Sequence, residues 1–245
     1  MTRTTRLLLF ACGGGVLAAL FVAGVAGIPG FGSAHHPYRD LAVPAAVAHH
    51  TANVVSAVNF DQRAIDTFGE ETILVASTIG AVALLRPARG ETERRPPELG
   101  RTLESTRLVG YLLLPLTLVL GADVVLHGGI TPGGGFQGGV VLATGVHLLY
   151  VTGSYPALER LRPMTAYRTA ESLGAAAFAA IGAAGLLGSG TFFANFWPWG
   201  HFGQILSTGT VQVLSAVVGV EVLGSVVVLL AAFFEQEISV RKDGR

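Results

Sequence analysis

Apolar runs separated by polar or breaker-rich stretches organise this chain. The first, Leu7–Ile28, is 22 residues long. That is enough to cross a hydrocarbon core of about 30 Å. It exceeds the roughly 7–15 apolar residues of a signal peptide, so an uncleaved membrane helix is expected. Pro29 to His50 carries Pro29, Gly30, Pro37 and Pro44 and reads as a loop. Asn53–Phe60 is apolar but too short to span, and so lies in the interface or packs on the bundle. Thr72–Leu85 spans only if its helix begins earlier. Thr67 followed by Glu70 is a capping-box pattern, and a helix from Thr67 to Arg86 rises about 30 Å. The third span is Leu108–Leu126, with Pro115 inside it and Asp123 near its far end. The fourth reaches Val151 and is long enough if Thr131 caps it and Pro132 occupies its first turn. The fifth is Thr169–Leu187. The sixth, Ile205–Phe234, is about 45 Å long if fully helical, so it tilts, bends or projects. The fold class is therefore an all-α integral membrane bundle of about six transmembrane helices, with the lipid bilayer as its solvent.

Charge orients the bundle. Six spans place both termini on one side. That side holds Arg3, Arg6, Arg86, Arg89, Arg94, Arg95, Arg101, Arg107, Arg160, Arg162, Arg168, Arg241, Lys242 and Arg245, fourteen basic residues against Arg39 and Arg63 opposite. The positive-inside rule makes the richer side, with both termini, cytoplasmic. The Arg- and Pro-rich stretch 87–106 reads as a cytoplasmic linker between a two-span module, 1–86, and a four-span module, 107–245. Composition agrees: 51% of residues are hydrophobic and 13% charged, where soluble domains carry about a quarter charged. Zero net charge gives no field for nucleic acid. The single cysteine, Cys12, allows no internal disulfide and no Cys-based metal site. No Walker loop, catalytic triad, HExxH, CxxC or dinucleotide fingerprint occurs, so a self-contained enzyme with a cofactor is not expected.

The polar residues inside the apolar runs are the candidates for chemistry. Glu221 sits near the middle of the sixth span, between Gly219 and Gly224. An ionisable residue there costs roughly 2.5–3.5 kcal/mol to insert. It is either a proton or cation relay or a protonated Glu bonded between helices. His147 on the fourth span reads as a neutral His bonded to a neighbouring helix or as a relay member. Asp123 and Glu171 lie near span ends, where capping or snorkelling competes with function. Glu70 and Glu71, with Asp66, Asp61 and Arg63, form an external acidic cluster that either collects cations or is a capped helix start. The His35/His36 and His49/His50 pairs could bind a metal, but their spacing matches no motif, and no metal site is assigned. The turn HGGITPGGGFQGG, His127–Gly139, joins two spans on the external side. Gly134/Gly138 and Gly135/Gly139 have the spacing that lets helices approach closely. Tight packing is one reading of the turn; broken backbone that meets an ion is the other.

The same turn carries a resemblance. Pro132, Gly133, Gly134, Gly135, Phe136, Gln137, Gly138 and Gly139 resemble the signature of the MnhB family, one of the membrane subunits of the Mrp/Mnh-type sodium/proton antiporters. The likeness runs from about Arg107 to Glu235 and is weaker after Leu149. Glu221-Val222-Leu223-Gly224 resembles the family's acidic position in the last helix. The family's usual His falls at Gly129 here, with His127 two residues earlier. A second stretch, about 50–86, is similar to the C-terminal segment of the large subunit of the same antiporters, through Asn53, Val54, Val55, Asp61, Arg63, Asp66, Thr67, Gly69 and Glu70. The resemblance implies a membrane subunit of a monovalent cation/proton antiporter in a bacterial or archaeal cell membrane. Its partners would be other subunits, with Na+ and H+ as transported ions, and with Glu221, Glu70, Asp66, Asp61, Asp123 and His147 as candidates for the ion path. Related modules occur in membrane-bound hydrogenases, so a membrane subunit of a complex I-like redox complex is the alternative. A structural membrane protein with an external His-rich loop is a third reading.

Overall fold

The structure, a computed structural model, describes residues 2–28, 32, 34, 36–85, 102–152, 160–161 and 163–234. His35, the linker residues 86–101 and the basic C-terminal residues Arg241, Lys242 and Arg245 lie outside them. Helix is the only regular structure among the described residues, so the all-α expectation holds. The chain divides into two units, Met1–Leu41 and Ala42–Arg245. The first contains α1, Arg3–Ala26, whose N-terminus is capped by the Thr2 hydroxyl accepting from the Thr5 N–H at 3.2 Å.

Helix α2, Pro37–Ala48, overturns the expected loop. Pro37 occupies the first helical position, where its missing N–H would have had no partner. Pro44 then removes only one interior bond. The alanine and valine residues around it are enough to keep the helix continuous, so the prolines mark its start and its weak point, not its absence.

After α2 the chain enters the membrane bundle. Asn53 caps the four-residue α3, Val54–Ala57, through its side-chain oxygen. A π turn, Val58–Gln62, follows, with the Arg63 N–H reaching the Val58 carbonyl at 2.8 Å. Ser56, Ala57 and Phe60 are buried, so this segment packs on the bundle. Helix α4 starts at Ala64 and runs to Leu84. Thr67 is therefore not its cap. Its hydroxyl instead donates to the Asn59 carbonyl at 2.7 Å, within the π turn. The remaining helices are α5 (Glu104–Leu126), α6 (Gly135–Val151), α7 (Met164–Ser189) and α8 (Thr210–Phe234).

Helix α8 is the axis. Of its residues before Phe234, only Val213, Val220 and Phe233 are exposed. It packs against α4, α5, α6 and α7. An apolar residue on every side, with Gly and Ser interspersed, suits a helix enclosed by others. It begins at Thr210, later than expected, because Asn195 holds its first turn. The Asn195 side-chain oxygen accepts from the Thr210 N–H at 2.9 Å, and its amide donates to the Thr208 carbonyl at 3.1 Å. Helix α6 also begins late. Thr131 does not cap it; its hydroxyl donates back to the His127 carbonyl at 3.2 Å. The residue that ends the turn is Gly134, at φ 137°. That conformation is strained for any residue with a Cβ.

By length and composition, α1, α4, α5, α7 and α8 can each cross a membrane, and α6 is an apolar helix of 17 residues. The protein is a multi-pass membrane protein. Within the second unit, α4, α6 and α8 start at the same end of the bundle. The glycine turn, the π turn and the 190–209 segment meet there. His50 Nδ1 lies 2.8 Å from the Gly200 carbonyl, and Asn53 Nδ2 donates at 2.8 Å to both the Gly128 and the Thr131 carbonyls.

Candidate functional site

The buried positions of α4 are Ala64, Thr67, Glu71 and Thr78. Their spacing puts them on one helical face. Glu71 is thereby carried into the bundle at 4% exposure, while its neighbour Glu70 stays exposed. From α8, Glu221 is 0% exposed, and its carboxyl lies within hydrogen-bonding reach of Glu71. Among the described residues no donor reaches either oxygen of Glu221. A carboxylate offers only acceptors, so two carboxyls can bond only when one carries a proton. Glu171 of α7 completes a row of three. It is buried, acts electrostatically on Glu221, and accepts a hydrogen bond from the Ser225 hydroxyl at 3.0 Å. The snorkelling expected for Glu171 does not occur, because α7 continues a turn and more beyond it to Met164.

Small residues bring α7 and α8 together at this level. A Cβ on Gly174 would lie 2.6 Å from the Glu221 Cβ and 3.0 Å from its Cα. A Cβ on Gly224 would lie 2.7 Å from the Glu171 backbone nitrogen. The spacing of Glu171 and Glu221 is therefore set by backbone contact and not by long, adjustable side chains.

A cleft opens on each end of the row. One, of about 260 Å³, lies at the glycine-turn end, between Thr67, Glu70 and Glu71 of α4, the π turn and Gly133–Gln137. The other, of about 280 Å³, lies between the later turns of α4 and the first turns of α7, and reaches Glu171 and Arg168. Val218 lines the first and Val228 the second. Ten residues of helix separate those valines, a rise of about 15 Å. The carboxyl row occupies that interval, so a proton could pass between the clefts by short exchanges along Glu71, Glu221 and Glu171.

The other predicted residues lie elsewhere. Asp66 pairs with Arg63 on the surface. Asp61 is held by His49 Nδ1 at 2.5 Å, and the His49 ring stacks on Trp199 with centroids 4.3 Å apart. Asp123 pairs with His127 at 2.9 Å and is exposed. His147 is buried on α6. Within the glycine turn, Gly135 and Gly139 meet α8: a Cβ on Gly139 would lie 2.8 Å from the Gly219 carbonyl, and one on Gly135 would strike the Ser215 carbonyl. Gly138 meets α5 at the Gly121 carbonyl, 2.7 Å from its added Cβ. Gly133 and Gly134 form the turn, and Phe136 and Gln137 are exposed and border the first cleft. Sequence reasoning placed Glu71 only within an external cluster and passed over Ser225. Helical phase was the available signal for Glu71, since Ala64, Thr67 and Thr78 share its face.

Comparison with known proteins places this arrangement. Residues 105–228 match the family described as a domain related to the MnhB subunit of the Na+/H+ antiporter. An uncharacterized protein of Methanocaldococcus jannaschii, MJ1307, is 31% identical over 199 residues, covering 70% of this chain and 72% of that protein. A chain of the membrane-bound sulfane sulfur reductase, an archaeal respiratory membrane complex, superposes with TM-score 0.72 at 25% identity, over 95% of this chain and all of that one. A chain of the Mrp complex from Dietzia sp. DQ12-45-1b shares the fold, with TM-score 0.68 at 23% identity. All of the present chain is covered in that comparison but only 27% of the Dietzia chain. With half of its length matched to one family model and its glycine turn and Glu221 inside that match, the chain belongs to the family of domains related to the MnhB subunit of Na+/H+ antiporters.

Proposed function

We propose that this chain, a membrane subunit of the Na+/H+ antiporter type, carries a protonatable path of its own. The observation that supports it is the buried Glu71–Glu221 pair with Glu171 beyond it, lying between two clefts. Carboxyls inside a bundle are costly and are retained where ions or protons move. In this reading the chain is part of a transporter, not an enzyme. It crosses the cell membrane six times, α6 included, with both termini in the cytoplasm, a topology that the fourteen-to-two division of basic residues supports. Glu171 then opens to the cytoplasmic cleft, beside Arg168, and Glu71 to the external one. The two modules, 1–86 and 107–245, join through the 87–106 linker. The 50–86 stretch plays the part of the large subunit's C-terminal tail, a reading supported by the resemblance of Asn53, Asp61, Arg63, Asp66, Thr67, Gly69 and Glu70 to that segment. Other subunits supply the remaining helices, and Na+ is the exchanged cation.

The test is Glu221→Gln in the assembled complex. Gln keeps the volume and removes the ionisable proton. Exchange in inverted vesicles should fall to background while the same subunits co-purify. Full antiport by this variant contradicts the path. The match to a chain of the sulfane sulfur reductase favours a second reading, a redox-complex subunit. Subunits with iron–sulfur clusters co-purifying with a tagged copy would establish it.

A further inference from the structure

We infer that residues 190–209 form an interfacial anchor, a folded-back segment whose outer face lies in the headgroup layer of the outer leaflet and takes phospholipid as its partner. The proposed topology decides only which leaflet this is; the depth of the segment does not depend on it. Six of its twenty residues are Phe or Trp, in a chain that is 8% aromatic, and both tryptophans of the protein, Trp197 and Trp199, fall within it. It contains no Lys, Arg, Asp or Glu. Connections that run through water are polar, and this one is not.

Its inner side is committed to the bundle. The Phe193 N–H donates to the Gly182 carbonyl at 3.1 Å, and the buried Phe193 ring lies 5.1 Å from that of Phe178. A Cβ on Gly185 would lie 2.7 Å from the Ala194 nitrogen. After Ser189 the chain therefore turns back along α7 to the level of Gly182, about 10 Å of helix. At its other end the Thr208 N–H donates to the Trp199 carbonyl at 3.0 Å, Asn195 ties Thr208 to Thr210, and His49 stacks on Trp199. Helices α7 and α8 have 26 and 25 residues. Each is roughly 38 Å long and exceeds a hydrocarbon core of about 30 Å. A return of about 10 Å from the end of α7 brings the segment to the border between hydrocarbon and headgroups.

Among the described residues the outer side is uncovered. Trp197 is 56%, Phe202 53% and Leu206 86% exposed, and Phe196 and Ile205 are exposed as well. No acceptor among the described residues meets either indole N–H. An apolar ring with an unmet donor suits the interface, where ester and phosphate oxygens accept. Helix contacts within this chain are made by glycine against backbone, as at Gly135, Gly139 and Gly174, the packing that membrane helices use with one another. The outer face of 190–209 presents large side chains instead, which favours lipid over a partner subunit's helix. With no charged side chain, its attraction is burial of apolar surface, so it does not discriminate anionic from zwitterionic lipid.

The two tryptophans make the native chain its own probe. Their emission is recorded for the full-length chain in nanodiscs and for the assembled complex. Phosphatidylcholine spin-labelled at the headgroup, the fifth or the twelfth acyl carbon quenches from the lipid side, and acrylamide quenches from water. The headgroup and fifth-carbon labels should quench several-fold more than the twelfth-carbon label, and acrylamide only weakly. Replacing the unlabelled lipid by phosphatidylglycerol should leave this order unchanged. Trp199→Phe, which isolates Trp197, should keep it too. Strong acrylamide quenching with little from any lipid label puts the segment in water and overturns the inference. Quenching strongest at the twelfth carbon, or present only with phosphatidylglycerol, also overturns it. Lipid quenching of the isolated chain that disappears in the assembled complex gives the face to a partner subunit and overturns it as well.

Discussion

Gly174→Ala adds one methyl group at the place where α7 meets the carboxyl row. The added Cβ would lie 2.6 Å from the Glu221 Cβ, 3.0 Å from its Cα and 3.1 Å from its backbone nitrogen. Ordinary carbon contact is about 3.5–4.0 Å, so α7 or α8 must retreat by about 1 Å. Two of the three atoms are backbone, and no side-chain rotation relieves them. Overpacking of this kind costs about 1–3 kcal/mol. For chains of this size each kcal/mol lowers the melting point by roughly 2–4 °C. A fall of several degrees in the fluorescence melting curve is expected. Exchange should fall too, because the same 1 Å shifts Glu221 against Glu71. Gly69→Ala and Gly80→Ala are the controls. Both lie in α4, both have open space where a Cβ would go, and both should leave melting and exchange unchanged. If Gly174→Ala melts and transports as wild type while Gly69→Ala does not, close backbone packing does not set the row.

Further perturbations follow from single contacts. Asn53→Ala removes the cap of α3 and two bonds to the glycine turn at 2.8 Å; about 2–4 kcal/mol should be lost, seen as early melting. Ser225→Ala withdraws the donor to Glu171 and should slow exchange without changing subunit recovery; a loss of assembly instead would make Ser225 a packing residue. His49→Ala leaves Asp61 without its partner and Trp199 without its stacked ring. It should speed proteolysis of the 190–209 segment, measured as cleavage rate in nanodiscs. Gly134→Leu forces a branched side chain into φ 137° and should abolish recovery of partner subunits; a variant that assembles yet does not transport would instead implicate the turn in transport itself.

Much of the architecture was readable in the chain. Apolar runs longer than a bilayer is thick have few alternatives, so α1, α5, α7 and α8 lie close to where hydropathy puts them. The glycine spacing read as a packing surface meets α8 through Gly135 and Gly139 and α5 through Gly138. The errors share a cause. Thr67 and Thr131 match capping patterns, but their hydroxyls are used by the π turn and by the His127 carbonyl. Helix starts are local signals, and here tertiary hydrogen bonds competed for the same atoms. Pro37 and Pro44 count as breakers in isolation, yet one sits where a helix tolerates it. Glu71 was hard to single out beside Glu70, because which of two adjacent carboxyls turns inward depends on how the helix is rotated in the bundle, and only the shared face of Ala64, Thr67 and Thr78 signals it.

Asn53 has a bearing on inheritance. The family match begins at residue 105, yet Asn53 binds the Gly128 and Thr131 carbonyls, and its own N–H donates to the Gly129 carbonyl at 3.1 Å. The two buried carboxyls are divided in the same way, with Glu71 before the matched region and Glu221 within it. Were the two parts separate polypeptides, each pair would form only after a bimolecular encounter. Because both parts lie on one chain, that encounter is intramolecular. Every copy of one acid then arrives with one copy of the other. One polypeptide fixes the one-to-one ratio of the two buried acids, and a mutation in either half is always read against the partner it was inherited with.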